Sequence, residues 1–415
     1  MKELLKTIIF DQRSLQWSSR FILREFPAKY LSGPEIIVIS GIRRCGKSTL
    51  LQQIRKEETE KDFFLNFDDE RLVNFTVNDF QLLHETFMEL FGNQTNFYFD
   101  EIQNIPGWER FVRRLHDAGN KIFLTGSNAT MLSRELGTHL TGRYLLVELF
   151  PFSFREYISF TNNTLSDSLM HSSAERSAMQ RLFGDYSRTG GFPGFLMTEN
   201  EDYLKSLYQS ILYRDVMVRN NLTNEKEMLE LVYFLASNIA KPSTNNSLAK
   251  IVGIKNATTI KNYIDFLENT YLLFQIYKFD FSVKRQIRNP RKTYFIDNAV
   301  VRKLGFLFTE ESGRLLENMI FIELKRRGEE VYYHAMRKEC DFLIRRGTTI
   351  THAIQVCHVL DSEVTREREL SGLLEAMTLY NLTEGLILTS YTEEKITIDH
   401  KTIHIRPAWK WLLGK

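Results

Sequence analysis

The sequence predicts an α/β fold, in which a parallel sheet with intervening helices forms the N-terminal part of the chain. Three short apolar runs, at residues 36–39, 63–67 and 96–99, have the length of buried strands. A helix-like segment begins at Thr49, and residues 78–91 carry apolar side chains at helical spacing. Because strands alternate with helices along the chain, the strands are expected to run parallel in one sheet.

Length, composition and charge describe an ordinary globular protein and exclude several other classes. The 415 residues suggest two or three domains, and the net charge of +2 excludes a strongly basic protein that coats nucleic acid, although local basic faces remain open. No apolar run reaches the length of a membrane-spanning helix, and the start at Met1–Lys6 does not resemble a signal peptide. The cysteines, Cys45, Cys340 and Cys357, are too widely spaced for a zinc site or a disulfide framework. We therefore expect a cytoplasmic protein without a membrane partner.

The first apolar run leads into a glycine-rich stretch that fits the pattern G-x-x-x-x-G-K-[ST]. Between a strand and a helix, this pattern predicts a loop whose backbone N–H groups surround a polyphosphate. We expect Lys47 to reach the β- and γ-phosphates of ATP and the Ser48 hydroxyl to bind Mg²⁺. The full set of expected cofactor-binding residues is Gly41, Arg43, Arg44, Cys45, Gly46, Lys47, Ser48 and Thr49. The alternative is a chance match, and the leading segment 1–30 is expected only to pack beside the site.

Two adjacent carboxylates, Asp100 and Glu101, end the apolar run at 96–99. In an open α/β sheet, ligands bind at the carboxyl ends of the strands, so these side chains are expected to face the phosphate loop. Asp100 would hold Mg²⁺ through water, and Glu101 would act as general base toward the attacking water. Such pairs also end strands as solvated loop residues, which is the alternative.

Two further residues are candidates for the same chemistry. The strand starting at Lys121 ends in small polar residues, where Asn128 could sense the γ-phosphate or simply cap the next helix. Arg143 precedes the strand 144–149 and could stabilise developing charge, either in its own chain or in a neighbouring subunit. It could equally be an ordinary arginine at the start of a strand.

These segments resemble, in order, those of the prokaryotic AAA+ ATPases of the additional-strand type. The segments are the phosphate loop, Phe99-Asp100-Glu101-Ile102-Gln103-Asn104, Leu124-Thr125-Gly126-Ser127-Asn128 and Leu140-Thr141-Gly142-Arg143. Within that class, the phosphate loop and Tyr186-Ser187-Arg188-Thr189-Gly190-Gly191-Phe192-Pro193 resemble one widespread bacterial and archaeal group. The resemblance implies a five-stranded parallel sheet, with one strand inserted between those bearing Lys47 and Asp100. It also implies a C-terminal domain of unknown function with a nuclease-like fold. We accordingly expect an ATPase core at 1–160, a helical lid and winged helix at 161–281, and a nuclease-like domain at 282–415.

The middle of the chain offers a candidate DNA-binding surface. A short helix at 247–252, a turn at Gly253 and a second helix at 257–267 have the pattern of a helix–turn–helix within a winged helix. The second helix begins with residues suited to phosphate and base-edge contacts, namely Lys255, Asn256, Thr258, Thr259, Lys261 and Asn262. Winged helices also contact proteins or serve as packing lids. The basic run 284–292 could be a phosphate-contacting loop or a solvated hairpin.

The last part of the chain resembles the PD-(D/E)XK nuclease core, in which acidic residues and a lysine gather a divalent metal and an attacking water. Glu317 and Asp341 match the helix and strand acids of that family. Gln355 and Cys357 stand where the second acid and the lysine belong, and neither an amide nor a thiol replaces those groups. The sequence therefore predicts a degraded nuclease site.

Taken together, the sequence predicts an ATP-hydrolysing AAA+ switch that engages duplex DNA through a winged helix and an inactive nuclease-like domain. The predicted catalytic residues are Glu101, Lys47, Asn128 and Arg143, and the predicted metal ligands are Ser48 and Asp100. One alternative is a regulatory scaffold that uses ATP to gate a protein partner, and another is an ATP-gated nuclease with an unusual site. Oligomerisation is compatible with each.

Overall fold

The computed structural model describes residues 1–14, 22–27, 29–57, 62–127, 140–163, 172–305 and 312–414. The chain forms two compact units, Met1–Phe150 and Pro151–Lys415. The first unit ends before residue 160 because the segment after Pro151 packs within the second unit, where Tyr186 donates a hydrogen bond to the Phe152 carbonyl at 2.8 Å. The predicted division at 281/282 falls inside the second unit and stays a prediction.

The first unit contains a five-stranded parallel sheet. Its strands are β1 (Ile36–Ser40), β2 (Phe63–Asn66), β3 (Asn96–Asp100), β4 (Lys121–Gly126) and β5 (Tyr144–Glu148). The strand order is β2-β3-β4-β1-β5, so β4 lies between β1 and β3 as predicted. Because all pairs are parallel, with Ser40 opposite Gly126 in β4, the carboxyl ends of β1, β3 and β4 meet at one edge. The predicted five-stranded sheet is therefore confirmed.

Helices cover this sheet and build its apolar core. They are α1 (Lys2–Ser14), α2 (Lys29–Ser32), α3 (Lys47–Glu57), α4 (Phe80–Phe91) and α5 (Trp108–Asp117), with 3-10 turns at Glu70–Leu72, Val77–Asp79 and Ile102–Asn104. The apolar side chains of α5 recur at helical spacing, and Trp108, Val112 and Leu115 are buried. Phe80 stacks on Phe111 with ring centroids 4.5 Å apart. Rigid packing of this kind fixes the strand ends that carry the polar residues.

The second unit begins with helices and a small antiparallel sheet. The helices are α6 (Phe154–Phe160), α7 (Ser173–Thr189), α8 (Pro193–Thr198), α9 (Glu201–Ser210), a π-helical segment (Ile211–Val218), α10 (Glu225–Ser237), α11 (Asn245–Ile251), α12 (Ala257–Asn269), α13 (Val283–Arg288) and α14 (Asn298–Leu304). The strands β6 (Pro242–Ser243), β7 (Leu273–Tyr277) and β8 (Arg291–Phe295) pair in the order β6-β8-β7. The expected helix pair around Gly253 is present as α11 and α12.

A six-stranded mixed sheet forms the rest of the second unit. Its strands are β9 (Glu330–Ala335), β10 (Glu339–Arg346), β11 (Thr349–Val356), β12 (Glu384–Thr389), β13 (Glu394–Ile398) and β14 (Lys401–Pro407), and its helices are α15 (Ser312–Arg326), α16 (Glu363–Leu379) and α17 (Ala408–Leu412). The order is β13-β14-β12-β11-β10-β9, with β12 parallel to both of its neighbours. Residues 408–412 form α17 after the last strand, and β13 and β9 lie at the two edges of this sheet. In the described ranges, every helix is either too short or too polar to cross a membrane.

Candidate phosphate-loop site and a second polar cluster

The phosphate loop joins β1 to α3 and is held close to the neighbouring chain. Leu149 donates its backbone N–H to the Ser40 carbonyl at 2.7 Å, and a Cβ added to Gly41 would lie 2.1 Å from the Leu149 carbonyl oxygen. Gly46 has a φ of 104°, a conformation that side chains disfavour. Both glycines of the pattern are therefore required by the backbone path, one for close approach and one for its conformation.

Lys47 begins α3 and turns its side chain back over the loop. Its Nζ donates to the carbonyl oxygens of Gly41 and Ile42, each at 3.2 Å, and lies 3.9 Å from a Glu101 carboxylate oxygen. The residue is buried. An ammonium group fixed over a glycine-rich loop at a helix N-terminus is suited to a polyphosphate, because each of these features favours negative charge.

Asp100 meets two hydroxyl groups at the carboxyl edge of the sheet. The Ser48 hydroxyl donates to Asp100 Oδ1 at 3.1 Å, and the Thr125 hydroxyl donates to the same oxygen. Burial, and then the charge of Glu101, raises the pKa of Asp100 to about 6, against the opposing effect of the two hydroxyl hydrogen bonds. Hydroxyl and carboxylate oxygens are the donors that Mg²⁺ prefers, so Ser48 and Asp100 fit that ion.

Glu101 adopts a backbone conformation that is rare for residues other than glycine. Its φ is 52°, which costs roughly 1–3 kcal/mol and persists only where neighbours enforce it. Here the Glu101 backbone N–H donates to the Thr125 hydroxyl at 3.0 Å, and Gln103 donates to the Glu101 carboxylate. The carboxylate is thereby held on the side of Lys47.

Two residues that sequence reasoning missed support this arrangement. Thr125, the second-last residue of β4, forms hydrogen bonds with both Asp100 and Glu101. Its place at the carboxyl end of a strand was the sequence feature that could have identified it. Arg24 is buried in the leading segment, where its guanidinium donates to the carbonyls of Cys45 and Phe150, each at 2.7 Å. Arg24 thus fixes the backbone of the phosphate loop at Cys45. One arginine among several basic residues of the leading segment was a weaker signal.

The other predicted cofactor-binding residues lie on the loop or in the first turn of α3, in different environments. Arg44 is exposed and has a φ of 66°, whereas Arg43 and Thr49 are half-buried. Cys45 is buried, and burial raises the pKa of its thiol, so it contributes its backbone to the loop and not a thiolate. Asn128, the predicted γ-phosphate sensor, lies outside the described residues.

Arg143 lies at the amino ends of the strands, whereas the phosphate loop lies at their carboxyl ends. Its carbonyl accepts a hydrogen bond from Ile36 at the start of β1, and its side chain bonds to Asp117 at 3.0 Å. The five residues of β1 separate the two edges by roughly 13 Å. Arg143 therefore does not serve the phosphate site of its own chain, and the predicted role in the same chain is wrong. A role toward a neighbouring subunit stays a prediction.

The helix pair α11–α12 exposes most of the residues predicted for DNA contact. Lys255, Asn256, Thr258, Lys261 and Asn262 are exposed, whereas Thr259 is half-buried. The Asn256 side chain accepts a hydrogen bond from the Thr258 backbone at 2.8 Å and so caps α12. In the described part of the chain neither Lys255 nor Lys261 forms an ion pair, which leaves both ammonium groups available.

The C-terminal acids Glu317 and Asp341 lie together, but a lysine lies between them. Lys292 donates to both carboxylates and is buried. For the run 284–292 we predicted a phosphate-contacting loop or a solvated hairpin. Lys292 is instead a buried residue of β8, so both alternatives are wrong for it. Across the described residues no group of three or more metal-ligating side chains suits a metal ion. The nuclease-like fold of this region stays a prediction.

Comparison with known proteins gives the same outline. Residues 33–158 match the model of an AAA domain, and residues 180–311 match a domain of unknown function, DUF8612. The uncharacterized protein MJ1544 of Methanocaldococcus jannaschii is 33% identical over 99% of this chain and 96% of its own. An uncharacterized protein of Haemophilus influenzae is 31% identical over 91% of this chain and 94% of its own.

Among solved structures, the RuvB Holliday junction branch migration motor of Thermotoga maritima is 15% identical and covers 66% of this chain and 88% of its own, with a TM-score of 0.27. A likeness at that level supports no conclusion about function. The relatives that align along nearly their whole length, the AAA-domain match over the phosphate loop and the five-stranded sheet support one assignment. The chain belongs to a family of prokaryotic AAA+ P-loop ATPases that includes MJ1544.

Proposed function

We propose that this protein is an ATP-hydrolysing switch that engages duplex DNA through the helix pair α11–α12. The observation that carries the ATPase part is the convergence of Lys47, Ser48, Asp100 and Glu101 at one edge of a rigid sheet. DNA engagement rests on the exposed face of the helix pair.

Each residue of the phosphate-loop site has a separate task. When bound, Mg²⁺ and ATP supply a polarised γ-phosphoryl group that water can attack. Lys47 balances the negative charge of the phosphates, and the Ser48 hydroxyl and Asp100 carboxylate hold and orient the ion. Glu101 accepts the proton of the attacking water at a carboxylate oxygen. Thr125 fixes the backbone of Glu101, so the base is already oriented before substrate arrives.

The order of elements around the helix pair supports a winged helix. Helix α10, strand β6, helices α11 and α12, and strands β7 and β8 follow one another, and the three strands pair as β6-β8-β7. The buried face of α12 carries Ile260, Ile264 and Leu267, which leaves its polar face exposed. Lys255, just before α12, and Lys261, within it, are exposed and form no ion pair among the described residues, so both are available to bind DNA phosphates. Each such contact would make affinity fall with salt.

The DNA part is tested with a lysine pair and a matched lysine outside the surface. We expect duplex DNA to stimulate ATP hydrolysis by the wild type at low salt. The double variant Lys255→Ala/Lys261→Ala should weaken DNA binding. The negative slope of log affinity against log salt should become less steep by about 0.9 for each lost contact. Lys205→Ala, which removes another exposed lysine, should change neither. Equal DNA binding by the double variant and the wild type would contradict the proposal.

A protein partner is the second candidate, and one surface favours it. Around α13 the apolar side chains of Phe281, Val283 and Ile287 are 77%, 70% and 59% exposed. Exposed apolar clusters of this kind are typical of protein-binding surfaces. ATP hydrolysis that ignores DNA but changes when Phe281 is replaced by serine, in the presence of a captured partner, would favour this candidate over DNA.

A further inference from the structure

The polar cluster between the two sheets of the second unit is built from four charged side chains. Lys292 comes from β8, Glu317 from α15, and Glu339 and Asp341 from β10; we call this set the Lys292 cluster. The sequence resemblance predicts a degraded metal site around Glu317 and Asp341. In the folded chain the negative charge of these carboxylates requires a counter-charge.

Lys292 supplies that balance by direct contact with every acid of the cluster. Its Nζ lies 3.0 Å from Glu317, 3.1 Å from Asp341 and 2.7 Å from Glu339, in each case measured to a carboxylate oxygen. The lysine side chain is 1% exposed. The ammonium group donates hydrogen bonds to Glu317 and Asp341, and the Glu339 carboxylate, which is about half exposed, forms a third ion pair with it.

Further hydrogen bonds orient the two inner acids, Glu317 and Asp341. Tyr294 donates to the same Glu317 oxygen at 2.6 Å, and the other Asp341 oxygen accepts the backbone N–H of Val356 at 3.0 Å. The Gln355 carbonyl accepts the Asp341 backbone N–H at 3.1 Å. These bonds orient both acids toward Lys292, and they direct the amide oxygen of Gln355 to the backbone.

The thiol of Cys357, which stands where the nuclease family has its lysine, does not restore a metal site either. The Cys357 thiol donates to the Val359 carbonyl at 3.1 Å, and burial raises its pKa to about 11, so it stays neutral. Burial alone would also lower the pKa of Lys292. The neighbouring carboxylates, led by Glu317, outweigh burial and keep the pKa of Lys292 well above its usual value. The only fixed positive charge at the centre of the cluster is thus the lysine, among the described residues.

We infer that Lys292 is a built-in cation that takes the place of a divalent metal ion between Glu317 and Asp341. The cluster is then an internal ion-pair network that holds β8 against α15 and β10, and not a metal site in the native chain. A second contact joins the same two sheets. The hydroxyl of Tyr333, in β9, donates a hydrogen bond at 2.6 Å to the carbonyl of Pro290, just before β8. The small sheet and the six-stranded sheet are joined through these contacts.

The test replaces the lysine by an uncharged side chain of similar length and asks whether a metal ion takes its place. Thermal unfolding and Mn²⁺ titration by electron paramagnetic resonance are measured on the full chain without nucleotide. In EDTA, Lys292→Met should unfold at a lower temperature than the wild type, because three acids lose their counter-ion. Mn²⁺ should then raise the unfolding temperature of Lys292→Met and bind to it at least tenfold more tightly than to the wild type.

Two controls separate this site from other effects. Lys303→Met removes a lysine from a partly exposed ion pair with Glu201 and should leave both measurements unchanged. Adding Asp341→Asn to Lys292→Met should abolish the gained Mn²⁺ site, whereas metal bound at the phosphate loop would remain.

Three results would overturn the inference. The first is a Mn²⁺ site in the wild type that disappears in Asp341→Asn. The second is a folded Lys292→Met chain that gains no Mn²⁺ binding. If Lys292→Met does not fold, the triple variant Lys292→Met/Glu317→Gln/Asp341→Asn, which removes the opposing charges together, should recover a folded chain; failure of that recovery is the third.

Discussion

Thr125 gives the sharpest prediction, because one hydroxyl joins the two acids of the phosphate-loop site. Thr125→Val keeps the side-chain shape but removes the donor to Asp100 and the acceptor for the Glu101 backbone N–H. A hydrogen bond to a charged group contributes about 1.5–3 kcal/mol, and a buried N–H left without a partner costs about 1–3 kcal/mol. The expected loss of unfolding free energy in the first unit is therefore about 3–6 kcal/mol.

The same substitution should change the pH dependence of ATP hydrolysis. The Thr125 hydroxyl lowers the pKa of Asp100 against the larger effect of burial. Without it, the pKa of Asp100 rises further above about 6, and a higher pH is needed to keep the carboxylate ionised. We expect the acid side of the pH–rate profile to move to higher pH in Thr125→Val.

Urea unfolding and steady-state ATP hydrolysis across pH 5–8 measure both effects. Thr125→Ser, which keeps the hydroxyl, should retain the wild-type profile. Thr86→Val makes the same chemical change at a buried residue of α4, where the hydroxyl bonds to the Leu82 carbonyl; it should lower stability without moving the profile. A Thr125→Val enzyme with wild-type stability and an unmoved profile would refute the reasoning.

Three further predictions concern other parts of the chain. Gly41→Ala should weaken ATP binding at least tenfold in a fluorescent-nucleotide titration, because its Cβ would meet the Leu149 carbonyl at 2.1 Å; Gly184→Ala, which meets nothing within 4 Å, should bind normally. Burial raises the pKa of Asp297 from 3.8 to about 6, so the native state holds a proton that the unfolded state has lost between these values, and stability should fall by about 3 kcal/mol as pH rises from about 4 to 6. Asp297→Asn should lack this component in urea unfolding, and an identical pH dependence in both proteins would contradict it. Arg143→Ala removes only a surface ion pair, so stability should change by less than about 1 kcal/mol; loss of ATP hydrolysis at protein concentrations where the chain self-associates would support action on a neighbouring subunit, and unchanged hydrolysis there would exclude it.

The phosphate-loop site could be predicted because its chemistry depends on local spacing. The pattern from Gly41 to Ser48 and the carboxylates at the end of β3 specify both residue types and their places on a parallel sheet. The role of Thr125 was not predicted, because a threonine at the end of a strand can serve several common structural purposes. Its role depends on the pairing of β4 with β3, which is a tertiary property.

The places of two basic residues were misjudged for a related reason. A charge in a basic run is usually solvated, so Lys292 was expected in a phosphate-contacting loop or a solvated hairpin. Its burial is possible because three acids from distant segments of the chain pair with it. Arg143 has the sequence context of a catalytic arginine. Its position at the amino edge of the sheet follows from β5 pairing in parallel with β1, and the spacing of residues along the chain does not reveal that pairing.

The most direct test of the central claim is ATP hydrolysis by Glu101→Gln, with ATP binding measured on the same preparation. The amide keeps the size of the side chain and removes the proton acceptor. We predict that ATP binding is retained and that hydrolysis falls by about 10²–10⁴-fold, the usual contribution of a general base. Hydrolysis at the wild-type rate would contradict the assignment of Glu101 and, with it, the proposed mechanism of this site.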